Sequence, residues 1–305
     1  MVQTRCTNAR HGSAGNGQGT CVTPPLAPSM HNRQAMTTLV FSHGNSFPAS
    51  TYRVMLDSLR ARGFEVHALE KYGHDPAYPV TDNWPHLVRQ LADFARAHVA
   101  PNGQAPWLVG HSLGGILSLM CAALHPELAR GVVLLDSPVV SGWRARGLGL
   151  AKRAPALMQR FSPSQVARRR RNGWLGREAV FEYFRGKKVF AAWDPQVLHD
   201  YVDHGTFDAN GTWQLAFDPA IESRIYDTLP HNIASLLRQH PLQCPMAFIG
   251  GLQSRELRQV GGIESTRRVA RGRVTMLDGT HLFPMEKPIA TAAAVEAALR
   301  AMTAP

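Results

Sequence analysis

Ser112 and His281 are the two residues whose type and setting could carry nucleophilic chemistry. Ser112 lies in Gly110-His111-Ser112-Leu113-Gly114, where the apolar run Trp107-Leu108-Val109 stops and a helical pattern through Leu113, Ile116, Leu117, Met120 and Leu124 begins. A serine on so sharp a strand-to-helix bend occupies strained backbone, and the flanking glycines allow neighbouring segments to approach it. Its hydroxyl stands clear of the sheet edge. The N–H of Leu113 then points to where a carbonyl oxygen turns negative during attack. His281, in Gly279-Thr280-His281-Leu282-Phe283-Pro284-Met285-Glu286-Lys287-Pro288, sits on a loop from which an imidazole could take the serine proton. Gly-x-Ser-x-Gly alone is a common spacing, so the strand, bend and helix around it carry the meaning.

The elements that must position these groups alternate along the chain. Thr38 to Ser42 reads as a short buried strand running into His43-Gly44-Asn45, and Tyr52, Met55, Leu56 and Leu59 mark a helix ending near Gly63. Phe64 to Leu69 is the next strand pattern. Asn83 stands where it could cap a helix with the apolar face Leu87, Val88, Leu91, Phe94 and Ala95. Further strands are expected at Val132–Leu135, Met246–Ile249 and Val274–Leu277, and an Ala-rich helix at Ile289–Met302. Strand and helix in alternation predict a mostly parallel sheet with helices on both faces. Between about 141 and 240 the alternation stops and the spacing is mostly helical, which suggests an inserted helical cap. The expected organisation is therefore a disordered leader over 1–36, core over 37–140, cap over 141–240 and core again over 241–305.

A chain of 305 residues with 44% hydrophobic content can bury a large core without staples. Cys6, Cys21, Cys121 and Cys244 form no CxxC pair and no zinc-like grouping, so reduced thiols in a cytoplasmic protein are expected. No apolar run is long enough for a membrane span, and residues 1 to 56 lack Asp and Glu without carrying a secretory apolar region. The net charge of +11 resides in one stretch: from Ser141 to Trp193 there are 13 Lys/Arg and two Glu, equal to the whole excess. Such a local surplus describes a surface, with Arg168 to Arg171 either solvated or attracting an anionic substrate. No RNP, zinc-finger or helix-turn-helix pattern supports nucleic-acid binding. The motifs for nucleotide or metal cofactors are missing too, so none is expected.

Ligands bind beyond the carboxyl ends of strands in open α/β sheets, which gathers His43, Gly44, Asn45, Ser112, Asp136, Ser254, Glu256 and His281. With His43-Gly44 after an early strand, the serine elbow, an acid, and Gly-x-His-(x)4-Glu-x-Pro ending at Pro288, the chain resembles the α/β-hydrolase superfamily over roughly residues 38 to 300. The resemblance implies Ser112 as nucleophile, His281 as general base, and the N–H groups of Leu113 and Asn45 as oxyanion hole. His43, His111 and Trp143 are candidates for the substrate side, with the two histidines better suited to orienting loops than to acting as bases.

Two carboxylates remain open for the acid. Where most of the family carries Asp after the strand at Met246–Ile249, this chain reads Gly250-Gly251-Leu252-Gln253-Ser254-Arg255-Glu256. Asp136 ends the preceding strand, a site some branches use, including haloalkane dehalogenases and pancreatic-type lipases; Glu256 would serve after a one-residue shift. Asp136 is favoured because it needs no rearrangement. His43-Gly44-Asn45 also resembles the haloalkane dehalogenases, but those require an aspartate nucleophile where this chain has Ser112. The implied activity is cleavage of an ester or thioester of a small to medium acyl substrate. The alternatives are acyl transfer by the same residues, or a non-catalytic ligand-binding member of the fold.

Overall fold

The computed structural model describes residues 37–100, 103–139, 163–260 and 263–303. Six strands, β1 (Thr37–Ser42), β2 (Phe64–Ala68), β3 (Trp107–His111), β4 (Gly131–Leu135), β7 (Met246–Gly251) and β8 (Val274–Leu277), form one sheet. Their order is β2-β1-β3-β4-β7-β8, and every pairing is parallel. Central strands β1, β3 and β4 are continuous runs of buried residues, as expected where helices cover both faces.

The two-residue period of the strands divides the core. Val40, Leu108, Val132, Leu134 and Phe248 point to one face, packed by α2 (Pro85–Ala97) and α3 (Leu113–Leu124). Leu39, Phe41, Val109, Val133, Leu135 and Ile249 point to the other, packed by α1 (Arg53–Ala61) and a C-terminal helix, α12 (Pro288–Thr303). Asn83 does not cap α2. Trp84 holds the N-cap position in left-handed backbone, with Pro85 at the first turn. The Asn83 side-chain oxygen instead accepts from the N–H of His231, so it joins the helix start to the inserted region.

That region lies between the neighbouring strands β4 and β7. Its described part holds α4 (Pro163–Arg168), α5 (Arg177–Arg185), α6 (Pro195–Gly205), α7 (Pro219–Asp227) and α8 (Ile233–Gln239). Beside these helices it holds an antiparallel hairpin, β5 (Thr206–Ala209) and β6 (Thr212–Leu215), which the mostly helical spacing does not reveal. Asn210 and Gly211 both take positive φ, the twist that a two-residue hairpin turn demands. Aromatic side chains bind the region together: Phe184, Phe190, Trp193 and Tyr201 are buried against one another, and Phe47 packs edge-on against Trp193 and Tyr201. These aromatics are packing, continuous with the core face beneath α1. Two short helices, α9 (Arg255–Gln259) and α10 (Glu264–Val269), link β7 to β8, and α11 (Phe283–Glu286) precedes α12. No helix among the described residues is long and apolar enough to cross a membrane.

Candidate active site

Ser112 joins β3 to α3 with φ 53° and ψ −114°, a conformation that side chains other than glycine rarely adopt. The packing around it explains why the flanks are glycine. A Cβ on Gly110 would overlap the backbone of Gly114 and Gly115, one on Gly114 would overlap the Ser42 carbonyl, and one on Gly115 would strike Ser137. Hydrogen bonds pin the bend: Ser112 N–H donates to Leu135 C=O at 3.0 Å, Gly114 N–H to His43 C=O at 3.0 Å, and the Ser137 hydroxyl to Ser112 C=O at 2.9 Å.

A line of hydrogen bonds leads away from the serine. Its Oγ lies 3.0 Å from His281 Nε2, and His281 Nδ1 lies 2.6 Å from Asp136 Oδ2. The Asp136 carboxylate is fully buried at the end of β4 and also accepts from Gly251 N–H at 2.8 Å and from the Ser254 hydroxyl at 2.6 Å. Burial alone would raise its pKa, but His281, Ser254 and Gly251 outweigh it and hold the carboxyl below its usual value. An ionised Asp136 has no proton to give, so His281 carries hydrogen on Nδ1. Its Nε2 lone pair then faces the serine hydroxyl, the arrangement needed to remove a proton from Oγ.

Glu256 occupies a different place. It is exposed in the first turn of α9, with Oε2 3.4 Å from Ser254 Oγ. Asp136, Glu256 and His281 each bring one ligand-type atom within 4.8 Å of the others, a grouping that could attract a cation. However, Asp136 Oδ2 and His281 Nδ1 are already bonded to each other, and the remaining Asp136 oxygen is held by Gly251.

The two candidate substrate histidines near the serine are buried supports. His43 is fully enclosed; its Nε2 accepts from Tyr72 N–H at 3.0 Å and its Nδ1 lies 2.8 Å from Gly44 C=O. Burial lowers its pKa to about 4, so it is neutral. His111 is lowered to about 3, mainly by burial and then by the neighbouring His281 imidazole, and it links two loops. Gly44 N–H donates to Tyr52 Oη at 2.9 Å, Tyr52 lies 2.7 Å from His111 Nδ1, and His111 Nε2 lies 2.9 Å from the carbonyl of His281. A neutral His111 makes the direction unique: Tyr52 donates to Nδ1, and Nε2–H donates to His281 C=O. Both rings are buried with both nitrogens engaged, an arrangement that orients loops. Trp143, with Leu148, Leu150, Leu157, Met158 and Phe161, lies outside the described residues.

The sequence offered no sign of Tyr52, which simply fits the face of its helix, nor of Ser137, a strand-end turn residue. The loop after β1 carries Asn45, whose Nδ2 donates to Glu222 C=O at 3.1 Å. Leu113 begins α3, where a backbone N–H has no acceptor within the helix. The arginine run is mostly engaged internally: Arg168 pairs with Asp227 and Ser223, Arg170 with Glu222 and Tyr201, and Arg171 with Gly173 C=O and the faces of Trp174 and Tyr183. Two of the four, Arg168 and Arg170, are therefore offset by carboxylates, while Arg171 is exposed and held by neutral partners. Cys121 is buried, with its thiol pushed up to about 12, so it offers no competing nucleophile.

A parallel sheet with a strained serine at the end of a central strand defines an α/β hydrolase architecture. The model of the alpha/beta hydrolase family matches residues 39–294, and the chain belongs to that family. Among curated proteins it is similar to a pyrethroid hydrolase of Sphingobium wenxiniae, 35% identical over 107 residues, which is 33% of this chain and 36% of that one. The match thus spans only about a third of the relative's length. Among solved structures it is similar to E-2-(acetamidomethylene)succinate hydrolase (TM-score 0.66, 19% identity, 87% of this chain and 91% of that one). It is also similar to the thioesterase domain from the curacin biosynthetic pathway (0.63, 16%, 86% and 91%) and to the peroxisomal α/β-hydrolase Lpx1 of Saccharomyces cerevisiae (0.64, 15%, 90% and 81%). At these identities the solved structures speak for the fold alone.

Proposed function

We propose that this protein is a serine hydrolase that cleaves an ester or thioester of a small to medium acyl group through an acyl-enzyme. The observation that carries the reading is the continuous line from Ser112 Oγ through His281 to the buried, ionised Asp136, at 3.0 and 2.6 Å. In the acylation step His281 Nε2 takes the hydroxyl proton as Oγ bonds to the substrate carbonyl carbon. The resulting oxyanion is met by the N–H groups of Leu113 and Asn45. Collapse expels the alcohol or thiol, which receives the proton from His281. Water then repeats the sequence on the acyl-enzyme, releasing the acid and restoring Ser112.

Asp136 is the acid of this relay, and Glu256 stands beside it without bonding His281. The inserted region between β4 and β7 acts as a cap that shapes the acyl pocket. With Arg168 and Arg170 of the clustered arginines paired to carboxylates, an uncharged acyl chain is the better-supported substrate. The name of the curated relative, a pyrethroid hydrolase, agrees with this class of chemistry. A panel of p-nitrophenyl esters of graded chain length, compared with acyl-CoAs, tests the proposal. Turnover that shows a chain-length optimum and vanishes in Ser112→Ala is expected; equal residual turnover in Ser112→Ala overturns it.

A further inference from the structure

The loop after β1 is gripped from two sides, and only one grip belongs to the sheet. On the sheet side, His43 C=O accepts from Gly114 and Gly44 N–H donates to Tyr52. On the other side, α7 of the inserted region takes hold of two consecutive loop residues through Glu222, with the Tyr226 hydroxyl beside the same two side chains. Glu222 in α7 accepts from Asn45 Nδ2 through its carbonyl at 3.1 Å, and from the Ser46 hydroxyl through Oε1 at 2.5 Å. Its second carboxylate oxygen accepts from Arg170 at 2.5 Å, and Arg170 also donates to Tyr201 of α6 at 2.7 Å. Glu222 is 5% exposed.

Two features set this network apart from ordinary packing. Ser46 has φ 81°, a left-handed conformation that a serine holds only when its surroundings impose it. The bond to Glu222 Oε1 is such a constraint, immediately after Asn45, the residue proposed above to meet the substrate oxygen. The largely buried Arg170–Glu222 pair is also a poor source of stability compared with apolar side chains of similar size, which is compatible with a role in geometry.

We propose that Arg170 and Glu222 are a positioning pair for the oxyanion-binding loop: Arg170 fixes the Glu222 carboxylate, and Glu222 fixes Asn45 and Ser46 so that Asn45 N–H meets the developing oxyanion. The inserted region thereby completes the reaction centre as well as walling the pocket. This rests on the serine-hydrolase reading above. Loops misplaced by about 1 Å can lower rates by up to roughly a hundredfold, so a loss of about 10- to 100-fold is expected when the tether is cut.

The test uses the full chain with p-nitrophenyl butyrate, a fluorophosphonate to count reactive serines, and an alkyl trifluoromethyl ketone whose serine adduct places an oxyanion in the hole. In Ser46→Ala and Glu222→Gln, kcat per labelled site should fall about 10- to 100-fold with KM within about threefold, and the ketone Ki should rise by a matching factor. An Arg170→Met/Glu222→Leu double variant, with its charges removed together, should regain the Tm lost in Arg170→Met while keeping the low kcat. Fewer labelled sites with wild-type kcat and Ki per site would reduce the pair to a folding role and overturn the proposal. A wild-type chain that takes no label would instead defeat the hydrolase reading, and this inference with it.

Discussion

Replacing Asp136 by Asn separates the two carboxylates that the sequence left open. In the transition state His281 becomes an imidazolium, and its Nδ1 lies 2.6 Å from Asp136 Oδ2. With an effective dielectric of about 20, opposite charges at this range attract by about 4 to 6 kcal/mol, which corresponds to a rate factor of roughly 10³ to 10⁴. The amide also loses the charge that keeps hydrogen on Nδ1, so His281 can present N–H instead of a lone pair to Ser112. Gly251 N–H and the Ser254 hydroxyl already donate to the carboxylate, so an amide N–H group turned towards either would face a donor. Glu256 is exposed and has no hydrogen bond to His281, so Glu256→Gln should change kcat by less than about threefold, within the range of a screened surface charge. Steady-state kinetics on a chromogenic ester, normalised to fluorophosphonate-labelled sites, decide the matter. An Asp136→Asn enzyme retaining a tenth of its kcat, or a Glu256→Gln enzyme equally impaired, would refute the assignment.

Two further predictions concern the scaffold. His43 and His111 are held neutral, with values lowered to about 4 and about 3, whereas an unfolded chain binds protons at both near pH 6.5. Protons are taken up by the unfolded state first, so stability is full above about pH 7 and declines as pH falls towards the folded values. At pH 5 each histidine should remove about 2 kcal/mol, about 4 in all, and His111→Gln should remove roughly half of that dependence. Urea unfolding at pH 8 and pH 5 measures it, and equal stabilities would show that these rings are not buried as described. Gly114→Ala drives a Cβ into the Ser42 carbonyl, which is backbone and has little room to yield, so a loss of about 3 kcal/mol or more is expected. At Gly173 a Cβ meets only a Thr212 methyl at 3.6 Å, so Gly173→Ala should unfold within a few degrees of wild type; similar losses at both sites would contradict the packing around the elbow.

What could be read from the sequence follows from how locally each feature is encoded. The β3–Ser112–α3 bend was legible because its glycines and the change of hydrophobic period lie within a dozen residues. The parallel order of the sheet followed from the alternation of strand and helix. The sequence favours Asp136 without excluding Glu256, because both follow neighbouring strands and the difference lies in which one reaches His281 across the sheet edge. The β5–β6 hairpin was hidden because four-residue strands leave no clear period; only Asn210-Gly211 signalled a turn. Asn83 looked like a cap because the capping rule is local, whereas its partner, His231, lies 148 positions away. Glu222 is 176 positions from Ser46, and nothing in the intervening residues announces the contact.

The central claim is that Ser112 is a nucleophile activated by His281. It is tested most directly by treating the protein with a fluorophosphonate and locating the adduct by peptide mass analysis. One equivalent should be found on Ser112, with labelling slowed by at least about a hundredfold in His281→Ala, in keeping with loss of a general base. Label on another residue, or labelling of Ser112 at the same rate without the imidazole, would contradict the account.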